Sequence, residues 1–182
     1  MFKPGFIEEK ILDGCRKNDR QSQELLYKQF SRKMYAICLS YAGERPLAQD
    51  ILQEAFVKIF KSITFYSSDG SLEGWIRRIV TNTAIDHIRK KKRAGNYIDI
   101  ETIDSNLHTQ NSALEIMGFN EIIKQIGRLP DGARLIFNMH ALEGFTHKEI
   151  SEKLDITEGT SKSQFNRARK LLMSFIGNIN LL

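Results

Sequence analysis

The stretch GFTHKEISEKLDITEGTSKSQFNRARKLL, residues 144–172, decides how this chain is read. Thr146 stands three residues before Glu149, the spacing of a capping box. In that motif the Thr hydroxyl takes the Glu N–H, and the carboxylate reaches back to the cap. Phe145 and Ile150 flank the cap as a hydrophobic staple, and Ile150 and Leu154 are expected to face inward. Asp155 falls at the turn, and Thr157 caps a second helix. At the helical period, Phe165, Ala168, Leu171, Leu172 and Phe175 share one face of that helix. The opposite face gathers Lys162, Ser163, Asn166, Arg167, Arg169 and Lys170, and the second helix is expected to carry no acid. Such a pair suits a DNA groove, with cations for phosphates and Arg or Asn for base edges. A lone charge run is more often a solvated face. The capping box, the turn and the absence of acids favour DNA.

Working outward, helical signals run over residues 6–15, 20–41, 46–63 and 71–93, then 113–128 and 131–142. Pro46 suits a first helical turn, where its missing N–H costs nothing. The segment AGNYIDIETIDSNLHTQNS carries Asp99, Glu101 and Asp104, no Lys or Arg, and no helical stripe. It reads as a linker. The chain divides into a first domain at 6–93, a linker at 94–112 and a second domain at 113–177. Little alternating apolar pattern is present, so the fold class is all-α, two small helical domains.

Bulk composition narrows the function. The 182 residues carry a formal net charge of +5, which favours a polyanionic partner. Cys15 and Cys38 cannot build a four-cysteine zinc cage, and no cofactor or metal is expected. No run approaches the roughly 18 apolar residues of a membrane span. The expectation is a soluble, cytoplasmic protein with no membrane insertion and no small-molecule substrate.

Two helices of the first domain say more. In PLAQDILQEAFVKIFKSI, Leu52, Phe56, Ile59 and Ile63 form a core face, and Asp50, Gln53, Glu54 and Lys61 gather opposite, with Val57 among them. An apolar residue inside a polar patch suggests a protein contact, although single exposed valines are common. Asp50 and Glu54 form an i, i+4 carboxylate pair, but no histidine or third acid joins them, so catalysis is disfavoured. In SLEGWIRRIVTNTAIDHIRKKKR, Ile76, Ile79, Val80 and Ala84 make the apolar stripe. Another face presents Arg78, Thr81, Asn82, Ile85, Arg89 and Lys92. The run Arg89 to Arg93 is five consecutive cations. They suit a helix C-terminus, yet exceed what the dipole requires, and phosphate contact is the better reading. Ahead of this helix, TFYSSDG (residues 64–70) offers aromatics and small polar groups of the kind that hold unstacked bases. Trp75 could also stack on a base, but beside Ile79 it reads as core.

Taken together, these motifs resemble the extracytoplasmic-function (ECF) sigma factors of the bacterial sigma-70 family. AQDILQEAFVKIF is similar to their polymerase-binding helix, and GWIRRIVTNTAIDHIRKKKR to the following helix of region 2, which meets the minus-ten element. LPDGARLIFNMHALEGFTHKEISEKLDITEGTSKSQFNRARKLL is similar to region 4, which binds the minus-thirty-five element. The resemblance covers most of residues 20–175. It implies that Asp50, Gln53, Glu54 and Val57 dock on core RNA polymerase. It further implies that Phe65, Tyr66, Ser67, Arg78, Asn82 and Arg89 meet the minus-ten DNA, Asn82 and the loop capturing a flipped base. Lys162, Ser163, Gln164, Asn166, Arg167 and Lys170 would read the minus-thirty-five DNA, and the linker would thread toward the polymerase active site. An anti-sigma factor is an expected partner, and no enzyme activity is implied. Three positions depart from the family pattern. Ser161 stands where valine is usual, so the turn should pack less tightly. Asp155 replaces a glycine, and Gln164 a common arginine.

Two other readings explain less. A stand-alone repressor or activator would be a dimer on a palindromic site, and leaves the Asp50–Val57 face without a purpose. A metal-dependent nuclease using Asp50, Glu54 or His140 lacks a convergent cluster, since His87, His108, His140 and His147 are scattered in sequence.

Overall fold

The computed structural model describes residues 4–67, 70–93 and 117–177, and every regular element among them is helical. In chain order these are α1 (Pro4–Arg16), α2 (Arg20–Ala42), α3 (Arg45–Ser62), a 3-10 turn (Ile63–Phe65) and α4 (Leu72–Arg93). There follow α5 (Met117–Gly127), α6 (Asp131–Phe137), a π-helical turn (Asn138–Leu142), α7 (His147–Leu154) and α8 (Glu158–Gly177). The all-α expectation is met. The acidic linker expected at 94–112 lies outside the described residues.

Local chemistry sets the helix ends. Asp19 caps α2 by accepting the Ser22 N–H at 2.8 Å, which satisfies one of the donors a helix N-terminus leaves over. Gly43 ends α2 in the left-handed region at φ 75°, where its N–H reaches the Leu39 carbonyl. Pro46 sits in the first turn of α3 as its fixed φ allows. The Thr146–Glu149 capping box is fully formed, with Thr146 N donating to Glu149 Oε2 at 2.8 Å and Glu149 N to Thr146 Oγ1 at 3.2 Å. These bonds from Thr146 hold the Glu149 carboxyl below its ordinary pKa.

Helices α1–α4 pack around Leu26, Phe30, Met34, Ile51, Phe56, Ile59, Ile76 and Val80. Leu52, Phe56, Ile59 and Ile63 are buried as their spacing predicts. The α4 stripe is broader than expected: Thr81 and Ile85, read as part of an exposed face, are buried. Neighbouring helices cover α4 over a wider arc than its sequence pattern reveals. Helices α5–α8 enclose a smaller cluster of Ile126, Leu129, Ala133, Ala168 and Leu172.

The two units pack against each other through a polar latch at the C-terminus of α2. Buried Arg134 of α6 donates from Nε to the Tyr41 carbonyl at 3.2 Å and from Nη2 to the Ala42 carbonyl at 3.3 Å. Its Nη1 meets the Leu129 carbonyl at 2.8 Å, and Nη2 pairs with Asp131 at 2.5 Å. The guanidinium thus caps helix carbonyls that would otherwise be orphaned, at the negative end of the α2 dipole. Asn138 donates to the Ser40 carbonyl at 2.6 Å, and Arg77 of α4 holds Glu143 at 3.0 and 3.1 Å. A Cβ on Gly43 would lie 2.7 Å from the Arg134 Cζ, a second reason for glycine there. Leu135, Ile136, Met139, Ile150 and Leu154 add apolar contact to the first unit's core.

Candidate nucleic-acid and protein interface

The α7–α8 pair is a helix-turn-helix whose joint is built from local residues. Asp155 takes the left-handed conformation at φ 54°, returning its N–H to the Ser151 carbonyl. Thr157 then caps α8, accepting the Thr160 N–H at 3.0 Å. Helix α8 begins with an acid, contrary to the expectation of none: Glu158 binds the Lys162 ammonium at 3.2 Å. The carboxylate suits the positive end of the helix dipole. Ser161, Gln164, Ala168 and Leu172 form the inward stripe of α8. Lys162, Ser163, Asn166, Arg169 and Lys170 project outward, and Arg167 is half-buried. Gln164 is therefore separated from the other residues expected to read DNA. It lines an apolar cavity between the units, with Ile88, Arg89, Leu135, Ile136 and Leu154, and its Oε1 has no hydrogen-bond partner.

At Ser161, the departure expected to loosen the turn, the structure shows a polar contact. Ser161 is fully buried, and its Oγ lies 2.9 Å from His147 Nδ1, so a hydrogen bond spans the joint. His147 in turn stacks on His140, with centroids 4.3 Å apart. The histidines read as scattered are thus partly gathered by the fold.

On α3, Asp50, Gln53 and Val57 are exposed, Val57 by 51%. Glu54 is half-buried, bonded to Lys58 at 2.7 Å and to His87 of α4 at 2.5 Å. Lys58, with His87 adding to it, depresses the Glu54 pKa from 4.5 to about 2. The carboxylate links α3 to α4 and is already committed to intramolecular partners. Beside this face lies a residue that sequence reading missed. Tyr27 of α2, partly exposed, packs edge-on to Phe56 at 4.6 Å. Its spacing on α2 carries no signal, because the contact comes from α3.

The loop before α4 divides its aromatics between two tasks. Phe65 is 82% exposed, whereas Tyr66 is buried. The Tyr66 hydroxyl donates to the Gly70 carbonyl at 2.6 Å, its ring lies 5.4 Å from that of Trp75, and its carbonyl accepts from Arg16 at 3.2 Å. Tyr66 shapes the loop and Phe65 is the aromatic presented to solvent. Ser67 is exposed beside it. Arg78 and Asn82, one turn apart on α4, are exposed, and Arg89 is half-buried at the inter-unit cavity. Of the terminal cations, the side chains of residues 91–93 lie outside the described set. Among the described residues no three histidines, cysteines or carboxylates gather to hold a metal ion, and no helix is long and apolar enough to cross a membrane.

Comparison with known proteins agrees with this geometry. The Sigma-70 region 2 family matches residues 26–94, and the Sigma-70, region 4 family matches residues 119–172. The chain is 29% identical over 176 residues to the ECF RNA polymerase sigma factor SigW of Bacillus subtilis, spanning 90% of this chain and 94% of that protein. It is 24% identical over 178 residues to the ECF RNA polymerase sigma-E factor of Escherichia coli K12, spanning 91% and 92%. Among solved structures, the sigma factor RpoE of Bartonella quintana, in complex with the anti-sigma factor NepR, matches with a TM-score of 0.50 at 18% identity. That match covers 85% of this chain and 96% of RpoE, and speaks for the fold.

Proposed function

This chain belongs to the ECF group of the sigma-70 family, and from that premise we propose how its two helical units divide the work of promoter-specific initiation. The first unit docks on core RNA polymerase through the exposed Asp50, Gln53 and Val57 of α3, with Tyr27 alongside. Glu54 supports that face by tying α3 to α4. Arg78, Asn82 and Arg89 of α4 meet the minus-ten DNA, and exposed Phe65 with Ser67 receives an unstacked base over the floor built by Tyr66. In the second unit, Lys162, Ser163, Asn166, Arg167 and Lys170 of α8 contact the minus-thirty-five groove, cations on phosphates and Asn166 on a base edge. Gln164 reaches DNA only if the units part. Phosphodiester chemistry stays with the polymerase, in the cytoplasm. RpoE is bound by an anti-sigma factor, and we assign this chain a protein inhibitor of the same class.

One observation carries this reading: a capped helix-turn-helix with an outward basic face and a docking helix with an exposed valine occur in one chain, in family order. The test is core-polymerase binding and promoter-dependent transcription by wild type and Asp50→Arg. Asp50 is the better probe than Glu54, whose replacement would also break the bonds to Lys58 and His87. Wild type should bind core enzyme, and Asp50→Arg should lose at least about tenfold in affinity, some 1.4 kcal/mol. No wild-type binding to a cognate core enzyme would discard the assignment.

A further inference from the structure

Four side chains from three segments meet behind the outward face of α8. Ser161, in the first turn of α8, is completely buried and lies 2.9 Å from Nδ1 of His147, the first residue of α7. The His147 ring stacks on His140 of the π-helical turn at 4.3 Å, with the planes 18° apart. Phe165, one turn beyond Ser161, sets its edge against both imidazoles at 4.6 and 5.7 Å. His140 is oriented by its own bond, Nδ1–H donating to the Phe145 carbonyl at 2.7 Å. The cluster therefore holds α8 to α7 and to the segment before it. Lys162, Ser163 and Asn166 follow directly on α8, so the roll of α8 about its axis decides where they point.

The electrostatic setting of the cluster is one-sided. His140 faces His147 from the π-helical turn, and Lys162 from α8. Glu158, the acid that faces it from α8, already pairs with Lys162. On α7 itself, Lys148 and Glu149 adjoin His147, and Glu149 is committed to the capping box. Burial, then His140 and Lys162, push the His147 pKa below its ordinary value, with Glu158 opposing. Protonating His147 would set a cation against the stacked His140 ring with no spare carboxylate in the cluster.

We propose that His147 is a positioning residue for promoter recognition. Its contact with Ser161 and its stack on His140 set the roll of α8, and they do so while the His147 imidazole is neutral. This rests on reading α8 as the minus-thirty-five helix. It predicts an unusual sign. Acid ordinarily strengthens DNA binding by adding positive charge to the protein, and here it weakens sequence discrimination while non-specific binding rises.

The experiment uses the full chain assembled with core polymerase. A minus-thirty-five sequence is first selected from a random duplex pool, and the ratio of specific to non-specific affinity is then measured at about pH 7.5 and about pH 5.5. Wild type should lose about fivefold in that ratio on acidification. His147→Gln, which can still hydrogen-bond Ser161 but cannot be charged, should keep the ratio at both pH values. His147→Lys, permanently charged, should show the acidic ratio at both. Far-UV circular dichroism and thermal unfolding establish that each variant is folded. Parallel pH profiles for wild type and His147→Gln would overturn the proposal while leaving the promoter reading intact. Failure of wild type to select any sequence would overturn the reading itself, and the proposal with it.

Discussion

Leu26, Met34, Ile51, Ile59, Ile76 and Val80 lie wholly inside the first helical unit, whereas among the described residues the second unit buries just Ile126, Leu129, Ala133, Ala168 and Leu172 in a cluster of its own. Five more of its buried apolar side chains, Leu135, Ile136, Met139, Ile150 and Leu154, join the core of the first. Full burial of one such side chain stabilises by about 1.5–3 kcal/mol, so the second unit depends on its neighbour for much of its stability. The difference teaches that the second unit is built to lean on the first, through shared apolar burial and through the polar contacts of Arg134, Asn138 and Arg77.

The largest expected effect breaks the comparison by parting the units. The two promoter elements differ by about 25 base pairs, or about 85 Å along B-DNA. A compact chain of 182 residues has a radius of gyration of only about 16 Å. With Arg77 on Glu143 at 3.0 Å, the packed form cannot reach both elements. Dyes on Arg32→Cys and Glu152→Cys, both exposed positions outside the proposed interfaces, should transfer energy efficiently in the unbound protein. Transfer should fall sharply when the holoenzyme binds promoter DNA, as their separation grows by roughly 40 Å. Unchanged transfer on binding would show that the packed arrangement survives.

Next in size is the latch. Arg134→Leu leaves the Tyr41 and Ala42 carbonyls without their donor and should cost about 3 kcal/mol. It should also uncouple the units. The only tryptophan, Trp75, reports on the first unit, while helical circular dichroism reports on both. Their urea transitions should coincide in wild type and separate in the variant. The α7–α8 joint offers a smaller change in the opposite direction. Asp155 sits at φ 54°, a conformation that costs a non-glycine residue about 1 kcal/mol, so Asp155→Gly should raise the melting temperature by about 3 °C.

The smallest effect belongs to the Glu54–Lys58–His87 group of the first unit. The folded-state pKa of Glu54 is depressed, from 4.5 to about 2. Its contribution is therefore present above the unfolded value and is lost as pH falls from about 4.5 through about 2. Solvent screens this partly exposed pair, so the contribution is a fraction of about 1 kcal/mol. The gap in urea midpoint between wild type and Glu54→Gln should narrow on acidification. A gap that widens would place the stabilising bond elsewhere.

Local chemistry made much of the molecule legible in the sequence. Asp155 at the turn, the Thr146–Glu149 box, the cap at Thr157 and the inward positions Ala168 and Leu172 all depend on contacts within a few residues, where spacing alone dictates geometry. The outward positions of Lys162, Asn166, Asp50 and Val57 follow from the same periodicity. Tertiary packing decided the rest. Thr81 and Ile85 are buried because other helices cover α4, and Gln164 turns into the cavity between the units. Glu54 meets His87 across 33 residues, and Arg134 reaches the Tyr41 carbonyl across 93. No local pattern encodes contacts at such separations, since each partner sees only its own helix. The sequence by itself determined which helices form and which faces they offer. The way those faces meet, and hence which polar groups stay available to a partner, was settled only when burial in the assembled fold made unpaired donors and acceptors costly.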